Sequence, residues 1–307
     1  MKGDQFLLLA KERGFCVKTQ EPMCLHTTFK IGGPARYFVQ VEASRLALLL
    51  QTAADTETPV FLIGNGSNLL VSDTGYDGLV IRLADEAERL IGEDMLELSA
   101  AAPLARAASF AAKLSLSGLE FAQGIPGSVG GGITMNAGAY GGQISDVLEE
   151  SWYLDAAAPE KGVQHLPAAQ HAFGYRSSFF KSNPSCIVVR CTMRLQKDDG
   201  AEIQARMADF AARRRDKQPL EYPSAGSAYK RPEGFFAGKL IEDCGLKGYR
   251  IGGAQVSEKH AGFIINRGGA TCADVLQLME HIEKKVQERF GVALEREIKV
   301  LHAKEQA

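Results

Sequence analysis

Residues 121–145 carry no charge, and within them the run GIPGSVGGGITMNAGAYGG (124–142) holds eight of the chain's 32 glycines. That density constrains the fold more than any other feature, because each glycine removes a Cβ and adds chain entropy that folding must overcome. Such a segment is retained where the backbone must come close to something. With no Lys or Arg inside it, an anion here would be held by peptide dipoles or a helix N-terminus. Interleaved Ile, Val, Met and Tyr separate the run from a Gly/Ser linker. A second glycine loop follows an apolar run: PVFLI (59–63) reads as a buried strand emptying into GNGSNLL (64–70). Neither loop ends in the GK[ST] of a Walker loop, and Gly64-Asn65-Gly66 is followed by Leu69 where a dinucleotide fingerprint requires glycine. Together they read as a two-loop pyrophosphate cradle of another kind.

A chain of 307 residues predicts about two domains, and its net charge of −2 argues against a general binder of nucleic acid or anionic membranes. Cys16, Cys24, Cys186, Cys191, Cys244 and Cys272 form no CxxC pair and no metal-spaced cluster with His, so reduced thiols and no metal site are expected. FLLLA (6–10) is too short for a signal-peptide core, and no run approaches the ~18 apolar residues of a membrane span, which predicts a cytoplasmic protein.

Strands are expected at 37–41, 59–63, 78–83, 95–100, 151–155 and 186–195. Ser44 is expected to cap a helix running to Asp55, Pro103 to open one running to Lys113, and Ile203, Met207, Phe210 and Ala211 to stripe a helix that ends before Pro219. The pattern then restarts: a helix at 235–244, short strands at 248–256 and 262–266, and a helix opened by Thr271 with Val275, Leu278, Met279, Ile282 and Val286 on one face. A strand of clean alternation closes the series at 292–301. Without a strict βαβ rhythm the fold class is α+β, divided into residues 1–200, with a break into two subdomains near 85–100, and residues 201–307.

Three positions are candidates for chemistry. Arg176, in GYRSSFFK, could clamp a carboxylate or phosphate, or pack as a surface arginine on Phe179 or Phe180. Ser227, in PSAGSAYKRP, lacks a GxSxG elbow and a nearby base, so it is either a proton donor or a turn serine. Glu297 shares a strand face with Glu295 and Lys299, facing either solvent or a cleft. RRRDK (213–217) reads as a solvated helix end, and His260 as a structural hydrogen-bonder.

TTFKIGGPA, IGNGSNLL, GIPGSVGGGITMNAGAYG, YRSSFFK, QPLEYPSAGSAYKRP, AGKLIEDCGLKGYRIGGAQVSEKHAGFIIN and LEREIKVL occur in that order. Together they resemble the UDP-N-acetylenolpyruvoylglucosamine reductase family over residues 27–301. The resemblance implies an FAD-binding region of the vanillyl-alcohol oxidase type, followed by a smaller α+β substrate-binding domain. It implies NADPH as reductant, the enolpyruvyl ether of a UDP-sugar as substrate, and a place in peptidoglycan precursor synthesis, with no nucleic-acid, membrane or obligate protein partner. By motif it places FAD on Gly64, Asn65, Gly66, Ser67, Asn68 and Leu69, and on Gly124, Pro126, Gly127, Ser128, Gly130, Gly131, Thr134, Asn136, Ala137 and Gly138. Arg176, Ser227 and Glu297 match the catalytic motifs, with Arg176 and Glu297 stabilising charge and Ser227 delivering a proton. Tyr175, Lys230 and Arg231 are candidate substrate contacts. SEKHAGFIIN fits the shorter subtype, which lacks a loop whose tyrosine covers the substrate, so that covering role does not pass to Tyr175. Two departures stand out: His26 where the family usually has Asn, and Ala228-Tyr229 for a bulkier residue followed by Phe. The competing expectations are a related FAD oxidase and a colourless nucleotide-sugar binding protein.

Overall fold

The computed structural model describes residues 5–304. Its helices are α1 (Gln5–Glu12), α2 (Ala43–Asp55), α3 (Leu104–Lys113), α4 (Val129–Met135), α5 (Phe179–Ser182), α6 (Gly200–Lys217), α7 (Ala237–Asp243) and α8 (Cys272–Phe290). Strand Pro34–Val41 runs parallel to Tyr76–Leu83, which also takes Val60–Ile63 in parallel, so α2 is the crossover of a βαβ unit. A five-stranded antiparallel sheet follows, in the order Gln164–Pro167, Leu148–Asp155, Cys186–Arg194, Met95–Ser99, Glu88–Ile91. A third sheet pairs Ser224–Ser227, Phe263–Asn266, Ala254–Val256 and Arg250–Ile251, all antiparallel, with α8 packed on it.

Two principal hydrophobic cores result. The larger joins α2, α3 and the five-stranded sheet, and it includes Ile203 and Met207 of α6. A division at residue 200 would put α6 in the second unit; instead it packs on α3 and on the 3-10 turn Glu120–Ala122 of the first. The second core gathers the apolar face of α8 with Leu240, Ile241, Val256 and Ile264, and draws in Phe29, Ile31 and Leu70 from far upstream. Val275, Leu278, Met279, Ile282 and Val286 are all buried, and the Thr271 side chain caps α8 in a capping box with Asp274. Among the described residues no helix is long and apolar enough to cross a membrane.

Several local expectations change. Ser44 lies inside α2: the helix starts at Ala43, whose N–H donates 2.9 Å to Oδ1 of Asp85, so a distant carboxylate replaces the local cap. Val60–Ile63 is only half-buried along most of its length, because it sits at its sheet's edge and lines a cavity. The closing strand shrinks to Lys299–Leu301, paired in parallel with Leu69–Val71. Residues 292–298 leave the ladder because they run beside residues 228–230, held there by Lys230 N–H on the Glu295 carbonyl (2.8 Å) and Glu297 N–H on the Ala228 carbonyl (2.9 Å).

Candidate active site

A cavity of about 1120 Å³ opens between the two cores, lined by both glycine loops, by Arg176 and Lys181, by Ser227 and Lys230, and by residues 295–299. The first loop turns sharply at Gly66 (φ +61°), where an added Cβ would fall on the His26 carbonyl. The loops touch. A Cβ on Gly64 would stand 2.5 Å from Ser128 Oγ, and Asn65 Nδ2 donates to the Pro126 carbonyl at 3.1 Å. Within this wall the peptide N–H groups of Asn65, Gly66, Ser67, Gly127 and Ser128 make no hydrogen bond to the described protein. Grouped donors of this kind suit an anion that brings its own acceptors.

Other N–H groups of the glycine segment are already engaged. Val129 donates to Ala102 O (2.8 Å), Gly130 to Ala100 O (2.9 Å) and Gly131 to Ser128 Oγ (3.3 Å). The segment is therefore partly a helix, α4, buttressed against the turn before α3. Asn136 ends α4 in the left-handed conformation, is buried, and uses its amide on the Gly174 carbonyl (3.1 Å) and the Ser145 N–H (3.0 Å). It does not line the cavity; the other expected cofactor residues do.

Arg176 sits at φ +53°, the third residue of a turn in which Ser177 N–H and Gly174 O meet at 3.2 Å. Its Nε donates to Glu297 Oε1 at 2.7 Å and its NH2 group to the Gly138 carbonyl at 3.2 Å. Glu297 thus turns into the cleft rather than to solvent, accepting from Arg176. Ser227 is exposed on the cavity wall, one residue before the Ala228 carbonyl that binds the Glu297 N–H. Lys230 lines the cavity and pairs with Glu295. Tyr175 and Arg231 do not: the Tyr175 hydroxyl accepts from Arg231 N–H at 3.3 Å, and the Arg231 guanidinium lies 4.0 Å from the Phe236 ring centroid. Desolvation pulls the Lys181 ammonium below the ordinary lysine range and Lys230 adds repulsion, while Glu295 and Glu297 oppose the shift.

Arg214 departs from the solvated helix end expected for residues 213–217. It leaves α6 to hydrogen-bond the Gly124 carbonyl and lines the cavity. The signal was present: Arg214 continues the Ile203, Met207, Phe210 stripe at helical spacing. His260 Nδ1 accepts from Gly262 N–H at 3.1 Å, away from the cavity. Among the described residues no group of His, Cys, Asp and Glu could hold a metal ion. Ala228 and Tyr229 are buried, the Tyr229 hydroxyl donating to the Met279 carbonyl at 2.9 Å, so that departure anchors Ser227's strand to α8. His26 stacks on Phe38 and pairs with Glu21 at 2.8 Å, while its carbonyl is the one that fixes Gly66.

Residues 34–157 match the family described as an FAD binding domain, and residues 218–301 match the C-terminal domain of UDP-N-acetylenolpyruvoylglucosamine reductase. A relative named UDP-N-acetylenolpyruvoylglucosamine reductase from Agathobacter rectalis is 48% identical over 294 residues, covering 92% of each chain. One of the same name from Syntrophomonas wolfei is 45% identical over 303 residues, covering 98% of this chain and 99% of its own. The crystal structure of the reductase from Thermus caldophilus superposes with a TM-score of 0.79 at 37% identity, over 94% of this chain and 99% of that one.

Proposed function

This chain belongs to the UDP-N-acetylenolpyruvoylglucosamine reductase family, and from that premise we propose how its own residues carry the reaction. The activity is the FAD-dependent reduction of UDP-N-acetylglucosamine enolpyruvate to UDP-N-acetylmuramate with NADPH as reductant, a step of peptidoglycan precursor synthesis. Bound FAD supplies the chemistry that passes two electrons from NADPH to the enolpyruvyl double bond.

The cavity fits that cofactor: it is large, and its glycine wall presents uncommitted N–H groups at Asn65, Gly66, Ser67, Gly127 and Ser128. We assign these donors to the pyrophosphate, with Arg214 fixing the loop at Gly124. At the reacting end, hydride addition to the methylene carbon leaves carbanion character next to the carboxylate. Arg176 opposes that charge, and Glu297 holds the guanidinium in place and borders the same group. The Ser227 hydroxyl delivers the proton to the alpha carbon; a weak acid suffices because the carbanion is a strong base. Lys230 binds substrate by charge, and Tyr175 and Arg231 frame the cleft beyond its lining. The reaction belongs in the cytosol and calls for no membrane, nucleic-acid or obligate protein partner.

The convergence of Arg176, Glu297 and Ser227 on one cavity carries this reading. Its test is anaerobic. Wild-type protein should bleach on NADPH and recover its flavin absorbance only when the enolpyruvyl sugar nucleotide is added. Ser227→Ala should keep most of the first rate and lose at least about a hundredfold of the second, within the range for proton transfer by a positioned group. Equal loss in both halves would make Ser227 structural.

A further inference from the structure

Arg176 has to adopt a backbone conformation that a side chain resists. A left-handed residue costs about 1–2 kcal/mol for anything but glycine, and the third position of such a turn is normally glycine. Its neighbours tie the turn down at both ends: Asn136 holds the Gly174 carbonyl (3.1 Å) and Ser178 Oγ donates to the Thr134 carbonyl (2.7 Å). Those ties leave the Arg176 carbonyl itself, which accepts from no backbone N–H among the described residues. Lys181 Nζ donates to it at 2.8 Å. Lys181 comes from α5, one turn further along the chain, and forms no ion pair within 4.0 Å among the described residues, although Glu295 and Glu297 share its cavity. Glu295 is taken by Lys230 and Glu297 by Arg176.

Resting on the role given above to Arg176, we propose that Lys181 is a positioning residue: its ammonium caps the Arg176 carbonyl, holds the left-handed turn, and so aims the guanidinium at Glu297 and the substrate carboxylate. The contact requires the protonated amine, because a neutral amine is a far weaker donor to a carbonyl. The charged groups facing Lys181 are Arg176, Lys230, Glu295 and Glu297. Desolvation and the neighbouring cation favour loss of its proton below the ordinary lysine value of 10.5, so alkaline pH should release the turn before a free lysine would titrate.

The experiment follows flavin reoxidation by the enolpyruvyl substrate in prereduced holoenzyme from pH 7 to 10.5, for wild type, Lys181→Met and Lys181→Arg. Lys181→Met should lower reoxidation at pH 7 at least tenfold, reduce the NADPH step less than threefold, and keep its flavin spectrum. Lys181→Arg should hold most of the rate and lose the alkaline fall, since a guanidinium keeps its proton throughout. Reoxidation by Lys181→Met at the wild-type rate, or an alkaline fall unmoved in Lys181→Arg, overturns the proposal. Arg176→Lys separates the two layers. If it reoxidises normally, the role of Arg176 is wrong; if it is crippled while Lys181→Met is not, only the role of Lys181 fails.

Discussion

The two glycine loops meet at Gly64 and Ser128 yet use glycine for different ends. In residues 64–68 the turn at Gly66 leaves consecutive N–H groups pointing away from the protein's own acceptors. In residues 124–142 most glycines make room for the protein itself. A Cβ on Gly130 would stand 2.9 Å from the Ala100 Cβ, one on Gly132 3.0 Å from Leu104, and one on Gly142 2.7 Å from the Phe121 ring. Gly127 and Gly141 are exceptions; nothing lies nearer than 3.6 Å to the missing Cβ of Gly127, which lines the cavity. Glycine density therefore marks close approach, while hydrogen-bond accounting tells whether a ligand or another part of the chain approaches.

Three alanine substitutions sharpen or break that contrast. Gly66→Ala should do most harm, because a left-handed alanine and a collision with the His26 carbonyl together cost about 3 kcal/mol or more. It should melt well below wild type and retain no flavin, and a stable yellow Gly66→Ala would refute the tight turn. Gly130→Ala should cost about 1–2 kcal/mol in denaturant unfolding of the flavin-free protein, overpacking against Ala100 being partly offset by helix propensity. Its FAD affinity should change less than threefold. Gly127→Ala should show the reverse: unfolding within about 0.5 kcal/mol of wild type, but FAD affinity at least tenfold weaker by fluorescence titration, about 1.4 kcal/mol. Equal FAD affinity in Gly127→Ala and wild type would remove residue 127 from the cradle.

Much of the architecture was legible because periodicity reports burial directly. The α8 face was read residue for residue, and the strand before the first glycine loop was read to within one residue. Tertiary partners were not. Asp85 replaces the Ser44 cap from 42 residues away, and no local pattern announces it. Alternation over residues 292–301 suggested one long strand, because a segment that borders a cleft alternates as a sheet edge does. At the site, Arg176, Ser227 and Glu297 each had a bland reading of their own, and only the resemblance raised them. What the sequence withheld was their company: that Glu297 accepts from Arg176, and that Lys181 takes the carbonyl behind it.

The parallel pairing of Lys299–Leu301 with Leu69–Val71 has a consequence for the order of assembly. Just before that ladder, Asn68 Nδ2 donates 3.1 Å to the Glu297 carbonyl, 229 residues away. A ribosome will have released both glycine loops, and the turn of Arg176, long before residue 297 emerges. The cleft is then a late product of synthesis, formed when the last strand closes an unusually long loop. A nascent chain halted after α6 would carry the peptide donors of the first loop and an arginine still lacking its carboxylate.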